Sequence, residues 1–374
     1  MSVLGIGMAG YGGIGKLHTL AYRSIPSYYP NFPPYRLAAV CTRSEKSSAA
    51  AARDGGFLKA YTNLQDMIDD PEVQVIDCVL PNDAHKQAVV ATLKAGKSIY
   101  CEKPLALTGL EAKELAALAA DSSGTLGMTF NYRFVPAIQK AKSLVESGAL
   151  GDIYRFHAEY LHTGYQDPSR PLSWRMKMSS SGGGAIMDLG SHIIDLVRLL
   201  VGEFSEVSAT TKTYITSRPL SKGASETGLV DVDDAAWIQA SMKNGATGTL
   251  TVSRFATGSA DDLRLVVEGS KGAIRFDLMD ANWLYWFDAT RKSGEAGWTR
   301  LETIQTYEGA VVPPARAILG WDRTHAENQY QFLKSVIERT APSPGIEDGL
   351  RNNLVMDAAY TSAREARWVS VADF

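Results

Sequence analysis

Through the first third of the chain, short apolar runs alternate with longer amphipathic stretches. "VLGIGMA", "YRLAAVC", "EVQVIDCVLP", "SIYCEKP" and "LGMTFNY" have strand length and are nearly continuous in apolar residues, as strands buried on both faces are. Between them, "KLHTLAYRSI", "SEKSSAAAARDGG", "AHKQAVVATLKAGK" and "GLEAKELAALAADSSG" repeat apolar positions at helical spacing. The first of these helices is expected to stop at Pro26, and the second ends in glycine. Such alternation predicts a doubly wound parallel sheet, with ligands at the carboxyl ends of its strands. The period then changes. "IYRFHAEYLHTGY" alternates, with Tyr154, Phe156, Tyr160 and His162 on one face and Arg155, His157 and Glu159 on the other. "WIQASMKNGATGTLTVSRFA" and "DLRLVVEGSKGAIRFDL" read as hairpins, and "NWLYWFDA" as one more strand.

Two glycine fingerprints overlap at the start of the chain. Gly5, Gly7 and Gly10 spell G-x-G-x-x-G, and so do Gly10, Gly12 and Gly15. A dinucleotide loop needs a strand before it and a helix after it. The earlier set leaves four residues for the strand; the later leaves Val3–Ala9. Gly10, Gly12 and Gly15 are therefore the expected working glycines. The loop Gly10, Tyr11, Gly12, Gly13, Ile14 would present backbone N–H groups to a pyrophosphate at the helix N-terminus. Gly5 and Gly7 then serve close packing inside the strand. The fold class is α/β: a Rossmann doubly wound parallel sheet over residues 1–129, then an α/β domain with a large, mainly antiparallel open sheet over 130–374. Its C-terminal helix either stays there or returns to the first domain. The insert "IPSYYPNFPPY" reads as an ordered outer loop.

The totals narrow the function. The chain has 374 residues, enough for two cores. A net charge of −3 leaves no electrostatic footprint for nucleic acid or an anionic membrane. No apolar run is long enough to span a bilayer, and no secretory leader is visible, so a cytoplasmic protein is expected. Cys41, Cys78 and Cys101 are widely spaced and read as buried free thiols; the six histidines lack zinc-type spacing, so no metal is expected.

Cofactor choice turns on the end of the second strand. An NAD site usually has Asp or Glu there, bonded to the ribose. Here the tip is Thr42, Arg43 and Ser44, which suits a 2′-phosphate. Arg43 stacked on adenine and Thr42 on ribose would equally permit NAD. The expectation leans to NADP or dual use.

The stretches "GYGGIGKLHT", "PNDAHKQAVVATLKAGKSIYCEKPLA", "NYRFVPAIQKAK" and "GGGAIMDLGSHIIDLVRLLVG" together resemble the Gfo/Idh/MocA oxidoreductases, and "HAENQYQFLKSVIE" resumes the likeness. The resemblance implies the two-domain fold and hydride transfer between NAD(P) and a secondary alcohol of a sugar, anhydrosugar or cyclitol. It also implies a homodimer or homotetramer, in line with the wide sheet, one face of which invites a second subunit. The missing carboxylate at Thr42 departs from the family pattern.

Alcohol oxidation needs a hydride acceptor and a group that takes the hydroxyl proton. Asp188, His192 and Asp195 interrupt an apolar helix at i, i+4 and i+7, which would put all three on one face. His192 is assigned as general base, Asp188 as a group orienting substrate or His192 and holding positive charge nearby, and Asp195 as a support for the imidazole. Lys103 would bond the reacting oxygen, with Pro104 fixing the backbone, by a cis bond or otherwise. Glu102 and Lys103, with Pro81, Asn82 and His85, stand where the nicotinamide end of the cofactor is expected; His85 meets either the cofactor or its own loop. Arg133 either binds substrate hydroxyls or ties the domains together. His162, Trp174 and Arg175 are candidates for substrate contact. His18 either faces the cofactor cleft or, the favoured reading, partners backbone carbonyls, and His325 starts a late helix expected to return to the cleft. A redox-assisted glycoside hydrolase of the same fold is the alternative reaction. A nucleotide-sensing regulator would be favoured by loss of Lys103 or His192, and both are present.

Overall fold

The computed structural model describes residues 3–303, 307–312 and 317–374, which divide into two units. The first comprises residues 1–106, 110–131 and 305–350; the second comprises 107–109, 132–304 and 351–374.

In the first unit the apolar runs become β1 (Leu4–Ala9), β2 (Tyr35–Cys41), β3 (Lys59–Tyr61), β4 (Val75–Cys78), β5 (Ser98–Cys101) and β6 (Leu126–Met128). Among the described residues they form one sheet in the order β3-β2-β1-β4-β5-β6, and every pair is parallel. The order reverses between β1 and β4, the switch point where such sheets hold ligands. The helices are α1 (Gly13–Tyr28), α2 (Glu45–Gly55), α3 (Leu64–Asp69), α4 (His85–Lys94) and α5 (Gly109–Ala120).

Two differences from the sequence reading have plain causes. Pro26 does not end α1, which runs on to Tyr28. Pro26 lacks the N–H that would bond the Tyr22 carbonyl four residues back. The Tyr35 hydroxyl donates to that oxygen instead. β3 and α3 were not legible, because three and six residues show no period. The local sign of α3 is its cap, where the Asn63 side chain accepts from the Gln65 N–H at 2.8 Å.

The second unit contains α6 (Pro136–Glu146), β7 (Ile153–Leu161), α7 (Met178–Ser181) and α8 (Ser191–Leu200). After these come β8 (Phe204–Lys212), β9 (Ser217–Pro219), β10 (Thr227–Leu229), β11 (Ala235–Met242), β12 (Thr247–Ser253), β13 (Asp262–Gly269), β14 (Gly272–Asp277), β15 (Trp283–Asp288), β16 (Trp298–Glu302) and β17 (Val369–Ser370). The described strands form a nine-stranded sheet, β16-β15-β14-β13-β7-β12-β11-β8-β17, with β9 and β10 paired apart. Its pairs are antiparallel except β7 with β12. Phe156, Ala158, Tyr160, Leu250, Leu265 and Ile274 point from one face into the core with α6 and α8. The other face is open and carries Arg155 and Trp237. Helix α9 (Trp321–Glu338) belongs to the first unit, and α10 (Ile346–Glu365) lies mostly in the second.

Candidate active site

The β1–α1 turn has the form its glycines require. Gly10 has φ +95, where a side chain would be strained, and a Cβ there would stand 2.8 Å from the Val79 carbonyl oxygen. A Cβ on Gly15 would stand 3.0 Å from the Gly10 oxygen, so its absence lets α1 pack on the sheet. At Gly12 and Gly13 a Cβ would meet nothing within 4 Å. Helix α1 has no side-chain cap and no acidic residue in its first turn. Open space over uncapped N–H groups at a positive helix end fits a pyrophosphate. Ile14 is half-buried in the first turn, and the Tyr11 ring packs edge-on to Phe57. Gly5 and Gly7 lie inside β1, where a Cβ would collide with Glu72 and Val73, so they serve packing.

At the β2 tip, Thr42 Oγ1 lies 2.6 and 2.9 Å from the hydroxyls of Ser47 and Ser48. Ser44 caps α2 by accepting from the Ser47 N–H at 3.3 Å. Arg43 is exposed.

Past β4, Pro81 and Asn82 are half-buried in the turn leading to α4. His85 belongs to its own loop: its ring nitrogens lie 2.8 Å from the Pro104 oxygen and 2.9 Å from the Leu80 oxygen. Cys78, His85 and Cys101 bring three possible ligand atoms within 4.8 Å of one another, a cluster that sequence spacing did not suggest. Both imidazole nitrogens are engaged by carbonyls, so the cluster is a packed joint between β4, β5 and α4. Cys41 is likewise a buried free thiol.

Glu102 and Lys103 follow β5, and the Lys103–Pro104 peptide is cis. Behind them, carboxylates rather than backbone carbonyls hold His18. Its Nδ1 lies 3.0 Å from both Asp77 oxygens, and its Nε2 lies 3.2 Å from Glu102 Oε1. Burial works against a charge on His18. The charges and hydrogen bonds of Asp77 and Glu102 outweigh it and raise the imidazole to about 10. Burial would likewise raise Glu102, but the hydrogen bond and charge of His18, then Lys103, hold it down to about 2. His325, on α9, packs its ring 5.5 Å from that of His18. Burial and the His18 charge push it down to about 3. A fixed Asp77–His18–Glu102 charge sandwich therefore stands directly beside Lys103. Asn131 Nδ2 donates to Thr324 Oγ1 at 3.1 Å.

In the second unit, the segment bearing Asp188 and His192 is not one regular helix. Ile186–Gly190 forms a π-helical turn before α8. A π turn changes the angular phase, so the i, i+4, i+7 spacing of a regular helix does not apply across this segment. Asp188 Oδ2 accepts from Arg254 Nη2 at 3.0 Å. Asp188 thus does hold positive charge nearby; the guanidinium is 2% exposed and comes from a residue the sequence reading missed. Asp195 pairs with Arg133, whose Nε and Nη2 donate to its oxygens at 2.7 and 2.5 Å. Arg133 is 6% exposed. His192 is half-buried, its ring packed 4.8 Å from Tyr132 and 5.8 Å from Tyr160. His162 Nε2 lies 3.0 Å from Asp261 Oδ1. Trp174 and Arg175 are half-buried in the loop before α7, and the guanidinium lies over the indole at 4.4 Å.

A strand–loop–helix cradle at the switch point of a parallel sheet, with Lys103 following β5 at the sheet's carboxyl edge, defines a dinucleotide-binding Rossmann unit. Residues 4–130 match the oxidoreductase family with NAD-binding Rossmann fold, and residues 138–275 match the GFO/IDH/MocA C-terminal domain. The chain belongs to the Gfo/Idh/MocA family of oxidoreductases. It is 35% identical to levoglucosan dehydrogenase of Pseudarthrobacter phenanthrenivorans, over 99% of both chains. A solved structure of levoglucosan dehydrogenase in complex with NADH and levoglucosan superposes with a TM-score of 0.94 at 34% identity, covering 99% of this chain and all of that one. Inositol 2-dehydrogenase of Rhizobium meliloti is 27% identical over 98% of each. Among the described residues no helix is long and apolar enough to cross a membrane.

Proposed function

We propose that this oxidoreductase oxidises a secondary hydroxyl of an anhydrosugar, sugar or cyclitol. The observation that carries it is the glycine cradle with Lys103 and the Asp77–His18–Glu102 sandwich on the same sheet edge. The end-to-end likeness to levoglucosan dehydrogenase supports the substrate class. The nicotinamide cofactor, when bound, accepts the hydride. Gly10, Tyr11, Gly12, Gly13 and Ile14 hold its pyrophosphate; Thr42, Arg43 and Ser44 its adenosine end; Pro81, Asn82 and Glu102 its nicotinamide end. Lys103 donates to the reacting oxygen and stabilises negative charge that develops there. His192 takes the hydroxyl proton, and Asp188, tethered by Arg254, orients substrate. Trp174 and Arg175 offer a ring face and a donor fork to the polyol.

A panel of anhydrosugars, sugars and inositols, each with NAD and NADP, followed by absorbance of the reduced cofactor, tests this reading. Turnover of at least one secondary alcohol is expected, and none anywhere on the panel contradicts it. The β2 tip presents no carboxylate to repel a 2′-phosphate, so both cofactors are expected to serve, with kcat/KM values within about tenfold, or about 1.4 kcal/mol. A strong preference for NAD would overturn that part.

The open sheet face supports self-association as a dimer or tetramer. On β14 to β16 it carries Trp283, Tyr285, Phe287 and Trp298, with Arg275 over Trp298 and Arg300 over Trp283, each at 4.0 Å. Aromatic residues with Arg are the composition of subunit interfaces. Light scattering at micromolar concentration is expected to give at least twice the 40.5 kDa chain mass; a monomer contradicts it.

A further inference from the structure

A dehydrogenase base must discharge the proton it takes at each turnover. His192 is half-buried, so its proton needs a route to bulk water. Behind His192 lies a chain of hydroxyls that no role above uses. Tyr132 Oη is 2.7 Å from Tyr160 Oη, and Tyr160 Oη donates to Asp261 Oδ1 at 2.6 Å. Asp261 also meets His162 Nε2 at 3.0 Å. Tyr132 and Tyr160 are 3% and 4% exposed, whereas the side chains of Asp261 and His162 are 43% and 34% exposed. The Tyr132 ring packs 4.8 Å from that of His192, so the hydroxyls run from beside the half-buried base to the surface.

We propose that Tyr132, Tyr160 and Asp261 form a proton exit from His192 to solvent, ending at the Asp261–His162 pair. The proposal rests on the assignment of His192 as base.

The direction of the hydrogen bonds carries it. A phenol has one proton to donate. The carboxylate of Asp261 only accepts, so Tyr160 spends its proton there. Tyr160 can then accept from Tyr132, whose hydroxyl also lies 3.4 Å from Asp261 Oδ2, so either way its donor points outward. A proton passed from the His192 imidazolium to Tyr132 Oη releases the Tyr132 proton to Tyr160, and the Tyr160 proton to Asp261. Each O–H bond that breaks is matched by one that forms. Asp261 or His162 passes the proton to water, and the hydroxyls turn back. In the reducing direction the same steps run inward. The charges agree with these roles. Burial opposes ionisation of Asp261, but hydrogen bonds from His162 and Tyr160, with the charge of His162, hold it below the ordinary carboxylate range. Burial, then Tyr132 and Asp261, hold Tyr160 well above the ordinary phenol range, so it passes a proton without ionising.

Tyr160→Phe removes one hydroxyl from the chain, and Asp261→Asn changes only an exposed end. Each is expected to lower steady-state kcat by roughly tenfold or more, less than loss of the base itself would. The solvent deuterium isotope effect should rise. Small imidazole or phosphate buffers should restore the rate in a concentration-dependent way, which a merely structural defect would not show. Both variants at wild-type kcat and isotope effect, or slow variants insensitive to buffer, overturn the proton exit. If His192→Asn keeps its rate, the base assignment fails instead. If His192→Asn is inactive while Tyr160→Phe and Asp261→Asn behave as wild type, only the exit fails.

Discussion

His192→Asn and Lys103→Met are each expected to lower kcat by about 10²- to 10⁴-fold, the usual contribution of a positioned acid–base group. Asn keeps much of the imidazole's volume but cannot take the substrate proton. Met keeps the apolar stem of the lysine and removes the donor to the reacting oxygen. Neither change touches the glycine loop, where the Gly10 turn and the open space at Gly12 and Gly13 form without them. Cofactor affinity, read by quenching of protein fluorescence, should therefore stay within about threefold, under about 1 kcal/mol. A variant with near-native kcat contradicts the role given to that residue. A variant that loses rate and cofactor binding together points to a binding role.

The second large effect concerns His18. Its imidazolium is enclosed between Asp77 and Glu102, with side-chain exposures of 0% for His18 and Asp77 and 13% for Glu102. His18→Leu fills similar space but leaves two carboxylates without their shared cation. Removing one partner of a buried ion pair costs about 3–5 kcal/mol, and a fall of that size in unfolding free energy is expected from urea titration. The pH dependence has a definite sign. The folded value for His18, about 10, lies above the ordinary 6.5. Its contribution is thus full below pH 6.5 and is lost as pH rises toward 10. Glu102, held at about 2 against an ordinary 4.5, contributes fully above pH 4.5 and loses that contribution as pH falls toward 2. The wild-type protein should be most stable between these limits, and His18→Leu should flatten the alkaline fall. Unchanged stability, or an unchanged alkaline limb, would show that the sandwich carries no net charge energy.

Much of the first unit was readable because each parallel strand is buried on both faces and each long helix keeps its period. The choice of Gly10, Gly12 and Gly15 followed from strand length alone, and the φ of Gly10 and the packing of Gly15 agree with it. What escaped was short or non-local. A three-residue β3 has no period to read. Pro26 was taken as a stop because nothing local shows that the Tyr35 hydroxyl, nine residues later, takes over a bond to Tyr22.

The site was legible by residue type more than by partnership. Lys103 and His192 are proposed from motif and spacing. Their surroundings depend on residues far along the chain. Asp77 lies 59 residues from His18, Arg254 lies 66 from Asp188, and Asp261 lies 101 from Tyr160. Asp77 looked like one polar residue in an apolar strand, the kind of position that must have a partner when buried, and that was the available signal. The regular helix expected through Asp188, His192 and Asp195 is interrupted by a π turn, which the apolar pattern of that segment does not announce. Asp195 and Arg133 then pair with each other, two candidate site groups joined in a scaffold.

The central claim is direct hydride transfer from a carbinol carbon, and isotope transfer tests it most directly. An active polyol from the panel, deuterated at its carbinol carbons, is incubated with oxidised cofactor and the protein, and the cofactor is weighed by mass spectrometry. The account predicts reduced cofactor carrying one deuterium, formed in step with the oxidised polyol. Cleavage of a glycosidic bond with the cofactor recovered in its oxidised form would contradict it, and would favour the redox-assisted hydrolase.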